Sequence, residues 1–258
     1  MIKWIRKSFP GSLKSPVKRA LGLPRTRLHA DWNILRPVGP IYREHVVFDV
    51  GAHHGWFFHC WQDWCPGAQV HAFEPYPAAF LAMRKQYGAD PRVTLNQLGV
   101  GDKPGQLALQ VMAESEVSNS FLPHKPDAWE EIKYRTGAIS SVEVPVTTLD
   151  AYAAQAGIDG ICLLKIDVQG FELKVLEGAR KLLPVVDHIF VESAIRPLYE
   201  GAARFTEVVE FLQREGFHLM AQRAWHRGNH VLMETDMLFR RDALAPGVDE
   251  SVVRVVEE

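Results

Sequence analysis

Cysteine is scarce in this chain and long apolar runs are missing. Three cysteines among 258 residues (Cys60, Cys65, Cys162) exclude a disulfide scaffold and suit a reducing, cytoplasmic compartment. Cys60 and Cys65 have no second ligand pair at useful spacing, so they read as buried thiols rather than half a metal site. No stretch approaches the length of a membrane span, and no signal peptide with a cleavage site is visible. Acids are absent from residues 1–30, which carry eight bases: Lys3, Arg6, Lys7, Lys14, Lys18, Arg19, Arg25 and Arg27. With a net charge of −2 overall, the remainder is acidic. An acidic domain without interleaved aromatic and basic residues argues against a nucleic-acid partner. The opening M-I-K-W-I-R-K-S-F places Ile2, Ile5 and Phe9 near one helical face. Two readings stand for it: a cap packed on the domain, or peripheral contact with the inner face of an anionic membrane.

What is present describes an ordinary globular chain, 47% hydrophobic and 23% charged. The expected division is a basic helical extension and linker over 1–40, one catalytic-sized domain over 41–242, and a polar tail over 243–258. Within the domain, residues 113–141 are polar, hold Pro123 and Pro126, and show no sustained period. A stretch of that kind inside a compact domain reads as an inserted lid or substrate loop. The strands flanking it are expected to pair as a hairpin, and Thr148 to cap a helix beginning at Leu149.

Glycine is missing from one informative place. Residues 45–55, H-V-V-F-D-V-G-A-H-H-G, read as a buried parallel strand, a glycine turn and a helix from Gly55 onward. His53 stands where a dinucleotide fingerprint has its second Gly, so close approach to a pyrophosphate is not provided for. Asp49 precedes the turn and would repel a pyrophosphate, but it suits a cofactor with a cationic end. A second β-type run, Q-V-H-A-F-E-P over 69–75, ends in Glu74, 23 residues after Gly51. That is near the spacing at which a carboxylate accepts both ribose hydroxyls of an adenosine cofactor. Together these features favour the methyl donor S-adenosylmethionine (SAM) over a nicotinamide.

Six motifs now occur in order: D-V-G-A-x-x-G, F-E-P, G-V-G-D at 99–102, T-T-L-D at 147–150, K-I-D-V-Q-G-F-E at 165–172 and V-E at 191–192. In order and spacing the chain resembles the FkbM-type SAM-dependent methyltransferases over roughly residues 45–240. The resemblance implies a Rossmann-like class I methyltransferase fold of the α/β class. Such a fold has a mostly parallel seven-stranded sheet with an antiparallel last strand and helices on both faces. It also implies O-methylation of a hydroxyl on a sugar, glycolipid or secondary metabolite. One departure is Gln169, where the family usually carries Glu.

The expected cofactor contacts are Asp49, Gly51, Ala52, His53, Gly55, Glu74, Pro75, Gly101, Asp102, Asn119, Ser120 and Asp167. Trp56, at the helix start, is a further neighbour, and no role is assigned to His54. Asp167 and Glu192 end two strands, where open α/β sheets place their chemistry. Asp167 is the expected general base, with Lys165 on the same face and Glu192 beside it. An alternative makes Asp167 and Glu192 ligands of a hard divalent cation that lowers the acceptor's pKa. Gln169 and Glu172 are expected to face substrate. A reading of another class, a non-catalytic SAM- or nucleotide-binding module in a glycan-assembly complex, predicts tight SAM binding without turnover.

Overall fold

In the computed structural model, the described residues are 34–35, 46–65, 67–131, 137–227 and 231–242. The expectations for the basic extension and for the polar tail therefore fall outside the described residues, apart from the short 3-10 piece at 34–35.

A seven-stranded sheet runs in the order β3-β2-β1-β7-β8-β10-β9. Its strands are β1 (Val46–Val50), β2 (Gln69–Phe73), β3 (Val93–Asn96), β7 (Ile161–Ile166), β8 (Val186–Ala194), β9 (Phe217–Arg227) and β10 (Val231–Arg241). The pairings β1–β2, β2–β3, β1–β7 and β7–β8 are parallel. β10 is antiparallel to both β8 and β9, as expected of the last strand. β1 and β7 lie at the centre, and all six residues of β7 are buried. Such a strand is apolar apart from Lys165, because helices cover both of its faces.

Two core clusters show that double covering. On one face Phe57, Phe58 and Trp61 of α1 (Trp56–Trp64) pack with Phe80, Met83 and Tyr87 of α2 (Pro77–Tyr87). On the other, Leu149 and Ala153 of α4 (Leu149–Ala156) lie with Val175 and Leu176 of α5 (Glu172–Glu177) and Val208 and Leu212 of α6 (Phe205–Arg214). Each such large apolar side chain, fully buried, stabilises the fold by about 1.5–3 kcal/mol before ordering entropy is counted. Thr148 caps α4 as its sequence position suggests, its hydroxyl accepting from Ala151 N at 3.1 Å.

The hairpin forms a separate three-stranded sheet. β5 (Gly105–Met112) is antiparallel to β6 (Ile139–Thr147), and β4 (Gly99–Val100) adds to β6 in parallel. Pairing continues to Met112 opposite Ile139, so the insertion ends before 139 rather than at 141. Nor is the insertion without structure of its own. It holds a 3-10 turn at Glu116–Ser118 and α3 (Pro126–Glu131). Trp129 of α3 is buried with Met112, Leu198, Tyr199 and Met233, and its indole N–H donates to Leu198 O at 3.0 Å. One aromatic anchor docks α3 on the main domain, which a periodicity search over so short a helix cannot reveal.

Candidate functional site

The carboxyl ends of β1, β2, β7 and β8 open onto a cleft of about 270 Å³. Its wall begins at the turn after β1. Gly51 has φ 77°, and a Cβ there would stand 1.8 Å from Asp167 O, so both the dihedral and the space demand glycine. Gly51 N and Ala52 N both donate to Phe73 O, at 3.1 and 3.0 Å, binding the turn to β2. His53 follows at φ 49°, a left-handed conformation uncommon outside glycine. Gly55 also has a positive φ, and a Cβ on it would strike the Phe58 ring. Gly55 serves aromatic packing within the helical layer and does not line the cleft as expected of a cofactor contact.

Glu74, at the end of β2, is buried, and both its oxygens are used. Oε2 accepts from His53 N at 2.7 Å and Oε1 from Tyr76 N at 2.8 Å. Burial pushes its carboxyl up to about 7, against the pull of these two N–H groups. Each oxygen keeps a second acceptor direction for a ligand hydroxyl.

Asp49 does not line the cleft. It stands opposite Lys165 in the β1–β7 register, fully buried, with Lys165 Nζ 3.0 Å from Oδ1. Burial raises the Asp49 carboxyl and Lys165 pulls it back. The expected direct contact with a cationic cofactor thus gives way to an ion pair beneath the cleft floor. Lys165 also donates to Gly51 O at 2.8 Å and lies 3.8 Å from Asp167 Oδ2. Burial works against its charge, but Asp49 and Asp167 more than compensate and raise its pKa. The ammonium therefore ties the glycine turn to β7.

Asp167, Gln169 and Glu192 meet at the cleft floor. The Gln169 amide nitrogen lies 3.0 Å from both Asp167 Oδ1 and Glu192 Oε2. Burial, then the charges of Asp167, Glu234 and Asp236, push Glu192 well above the ordinary carboxylate range. Glu234 and Asp236 escaped sequence reasoning because only the strand order, with Asp236 opposite Glu192, brings them there. Tyr199 was missed as well. Its hydroxyl donates to Ser118 O at 2.7 Å and stands 3.4 Å from Gln169 Oε1.

Of the other expected residues, Ala52, His53, Pro75, Asn119 and Ser120 line the cleft, as does Trp56. Asn119 Oδ1 accepts from Met112 N at 3.0 Å, and Ser120 Oγ donates to Gln169 O at 2.7 Å. Gly101 and Asp102 do not line it; Leu98, Gly99 and Val100 do, because β4 directs the chain away after Val100. Asp102 instead pairs with Lys174 at 3.1 Å near the surface. Glu172 is turned inward, accepting from Gly170 N at 2.8 Å, and burial pushes it up to about 7. It holds the turn that presents Gln169.

Among the described residues, Glu74, Glu116, Asp167 and Glu192 place four carboxyl groups in the lining against one ammonium, that of Lys165. Such a cleft attracts a ligand with a cationic centre. Among the described residues, no helix is long and apolar enough to cross a membrane.

Comparisons with known proteins agree with the motif order. Residues 49–219 match the Methyltransferase FkbM domain family model. The chain is 29% identical to 2-O-methyltransferase NoeI of Sinorhizobium fredii, over 77% of this chain and 80% of that protein. It is 28% identical to 31-O-demethyl-FK506 methyltransferase FkbM of Streptomyces tacrolimicus, over 69% and 74% respectively. The solved magnesium protoporphyrin IX methyltransferase of Synechocystis PCC 6803 superposes with a TM-score of 0.45 at 12% identity, over 92% of this chain and 88% of that one.

Proposed function

The chain belongs to the FkbM methyltransferase family, and from that premise we propose that it transfers the methyl group of SAM to a hydroxyl of a sugar, glycolipid or secondary metabolite. The observation that carries this reading is the buried Glu74 carboxylate beside the Gly51 turn, at the mouth of an acid-lined cleft. Glu74 accepts the ribose hydroxyls, and the surplus of carboxylates favours the sulfonium. When bound, SAM supplies an electrophilic methyl for in-line displacement.

The protein's part is to align the acceptor and take its proton. Asp167 is the base. Its carboxylate is 29% exposed to the cleft side, steadied by the Gln169 amide and by Lys165. Glu192, raised well above the ordinary carboxylate range by burial and by Asp167, stands beside that base. Support for oxygen as the methylated atom comes from the two relatives, whose names each specify O-methyl chemistry. The insertion, which supplies Glu116 to Phe121 to the cleft wall, selects the acceptor.

The test is calorimetric titration of SAM and S-adenosylhomocysteine into wild type and Glu74→Ala, followed by transfer of labelled methyl to a panel of glycan and polyol acceptors. Micromolar binding lost in the variant, with label on oxygen, is the expected result. Absence of binding by the wild type overturns the reading.

A further inference from the structure

We propose that His53, His54 and Glu116 form a binding site for a divalent transition-metal ion that clamps the insertion onto the glycine turn at the cleft mouth. The two histidines sit in the turn after β1, while Glu116 begins the 3-10 turn of the insertion, more than sixty residues later in the chain. The fold brings one ligand atom of each to within 4.8 Å of the others, all on partly buried side chains. Tetrahedral ligation at ~2.1 Å holds such atoms roughly 3.4 Å apart, so rotation of the side chains has at most about 1.4 Å to close.

Two imidazoles and one carboxylate suit zinc, cobalt or nickel, and leave a fourth position for water. Calcium and magnesium prefer all-oxygen sites and are disfavoured here. Three further features converge on the same place. The His53 and His54 rings pack edge to face with centroids 4.0 Å apart, so the two imidazoles are neighbours at the turn. His53 holds a left-handed φ of 49°, a cost that persists only where its surroundings impose it. His53 and Glu116 also line a cleft in which carboxylates outnumber ammonium groups, so the local field favours a cation.

The ion would cross-link the turn after β1 to the 3-10 turn of the insertion. It acts as a clasp at the mouth and is independent of whether methyl transfer occurs. The test uses the full chain, prepared without a polyhistidine tag, stripped with chelator and titrated with cobalt(II) chloride in the absence of SAM. One equivalent should bind with visible d–d absorption, and affinity should fall at least tenfold in both His54→Ala and Glu116→Gln. His218→Ala, which alters a histidine paired with Asp242 at the far end of the sheet, should bind cobalt as the wild type does. Hydrogen exchange in residues 113–121 should slow on metal addition in the wild type, and thermal melts should show each variant folded. Absence of binding up to millimolar cobalt, binding indifferent to His54 and Glu116, or unchanged exchange with metal bound would each overturn the proposal.

Discussion

Gln169 donates its amide to Glu192 across the ends of two neighbouring parallel strands, at 3.0 Å. It does so from a left-handed backbone (φ 54°) that Gly170 and Ser120 help to hold, and the same nitrogen lies 3.0 Å from Asp167. An uncharged donor thus bridges two acids. The bridge offsets part of the repulsion by which Asp167 raises Glu192.

Replacing the bridge tests its effect. Gln169→Glu removes both hydrogen bonds and adds a like charge. The acid limb of the rate–pH profile should move upward, because a further carboxylate adds to the repulsion that already raises Glu192. Stability in urea at pH 8 should fall by about 1–3 kcal/mol. An unmoved profile would show that this group of residues is not what titrates during turnover.

Donor binding should itself depend on pH. With Glu74 pushed up to about 7, much of it is protonated in the unliganded protein just below neutrality. Only the carboxylate accepts two hydroxyls, so SAM should bind about tenfold more tightly at pH 8 than at pH 6. Calorimetry at a series of pH values checks this, and Glu74→Gln should flatten the dependence.

Stability should run the other way. Glu74 and Glu172 both have folded-state values of about 7 against an ordinary 4.5. The folded chain therefore holds protons that the unfolded chain has released, and stability declines as pH rises from about 4.5 through 7. In Glu172→Gln that decline should be shallower in denaturant titrations of the unliganded protein. A decline as steep as in the wild type would mean that Glu172 is ionised throughout.

The ion pair beneath the cleft gives a separate prediction. Lys165→Met leaves Asp49 buried without its ammonium and should cost about 3–5 kcal/mol. The double change Asp49→Leu with Lys165→Met should recover most of that stability in urea. It should still bind SAM poorly, because Gly51 O loses the ammonium that fixes the turn. Additive losses in the double variant would contradict the pairing.

How far the sequence could be read follows from how local each feature is. The alternation of strands and helices, the glycine turn and the Thr148 cap depend on neighbours within a few residues, and Glu74 on its spacing of 23 from Gly51, so all could be placed. Asp49 was misplaced because its partner, Lys165, lies 116 residues away and meets it only through the β1–β7 register. Glu234 and Asp236 went unnoticed for the same reason, since β10 inserts between β8 and β9. Gly101 and Asp102 carried a motif, but the chain turns off with β4 one residue too early for them to reach the cleft. His54 and Glu116 had no sequence signal linking them.

The insertion meets the catalytic floor at few points: Ser120 Oγ on Gln169 O, and Ser118 O under the Tyr199 hydroxyl. Its middle, carrying α3, instead docks through Trp129 on the outer loop at Leu198. The residues that line the cleft, 116–121, and the helix that anchors the insertion are therefore separated along the same segment. The anchor can therefore be altered without touching the cleft wall, and the wall without loosening the anchor.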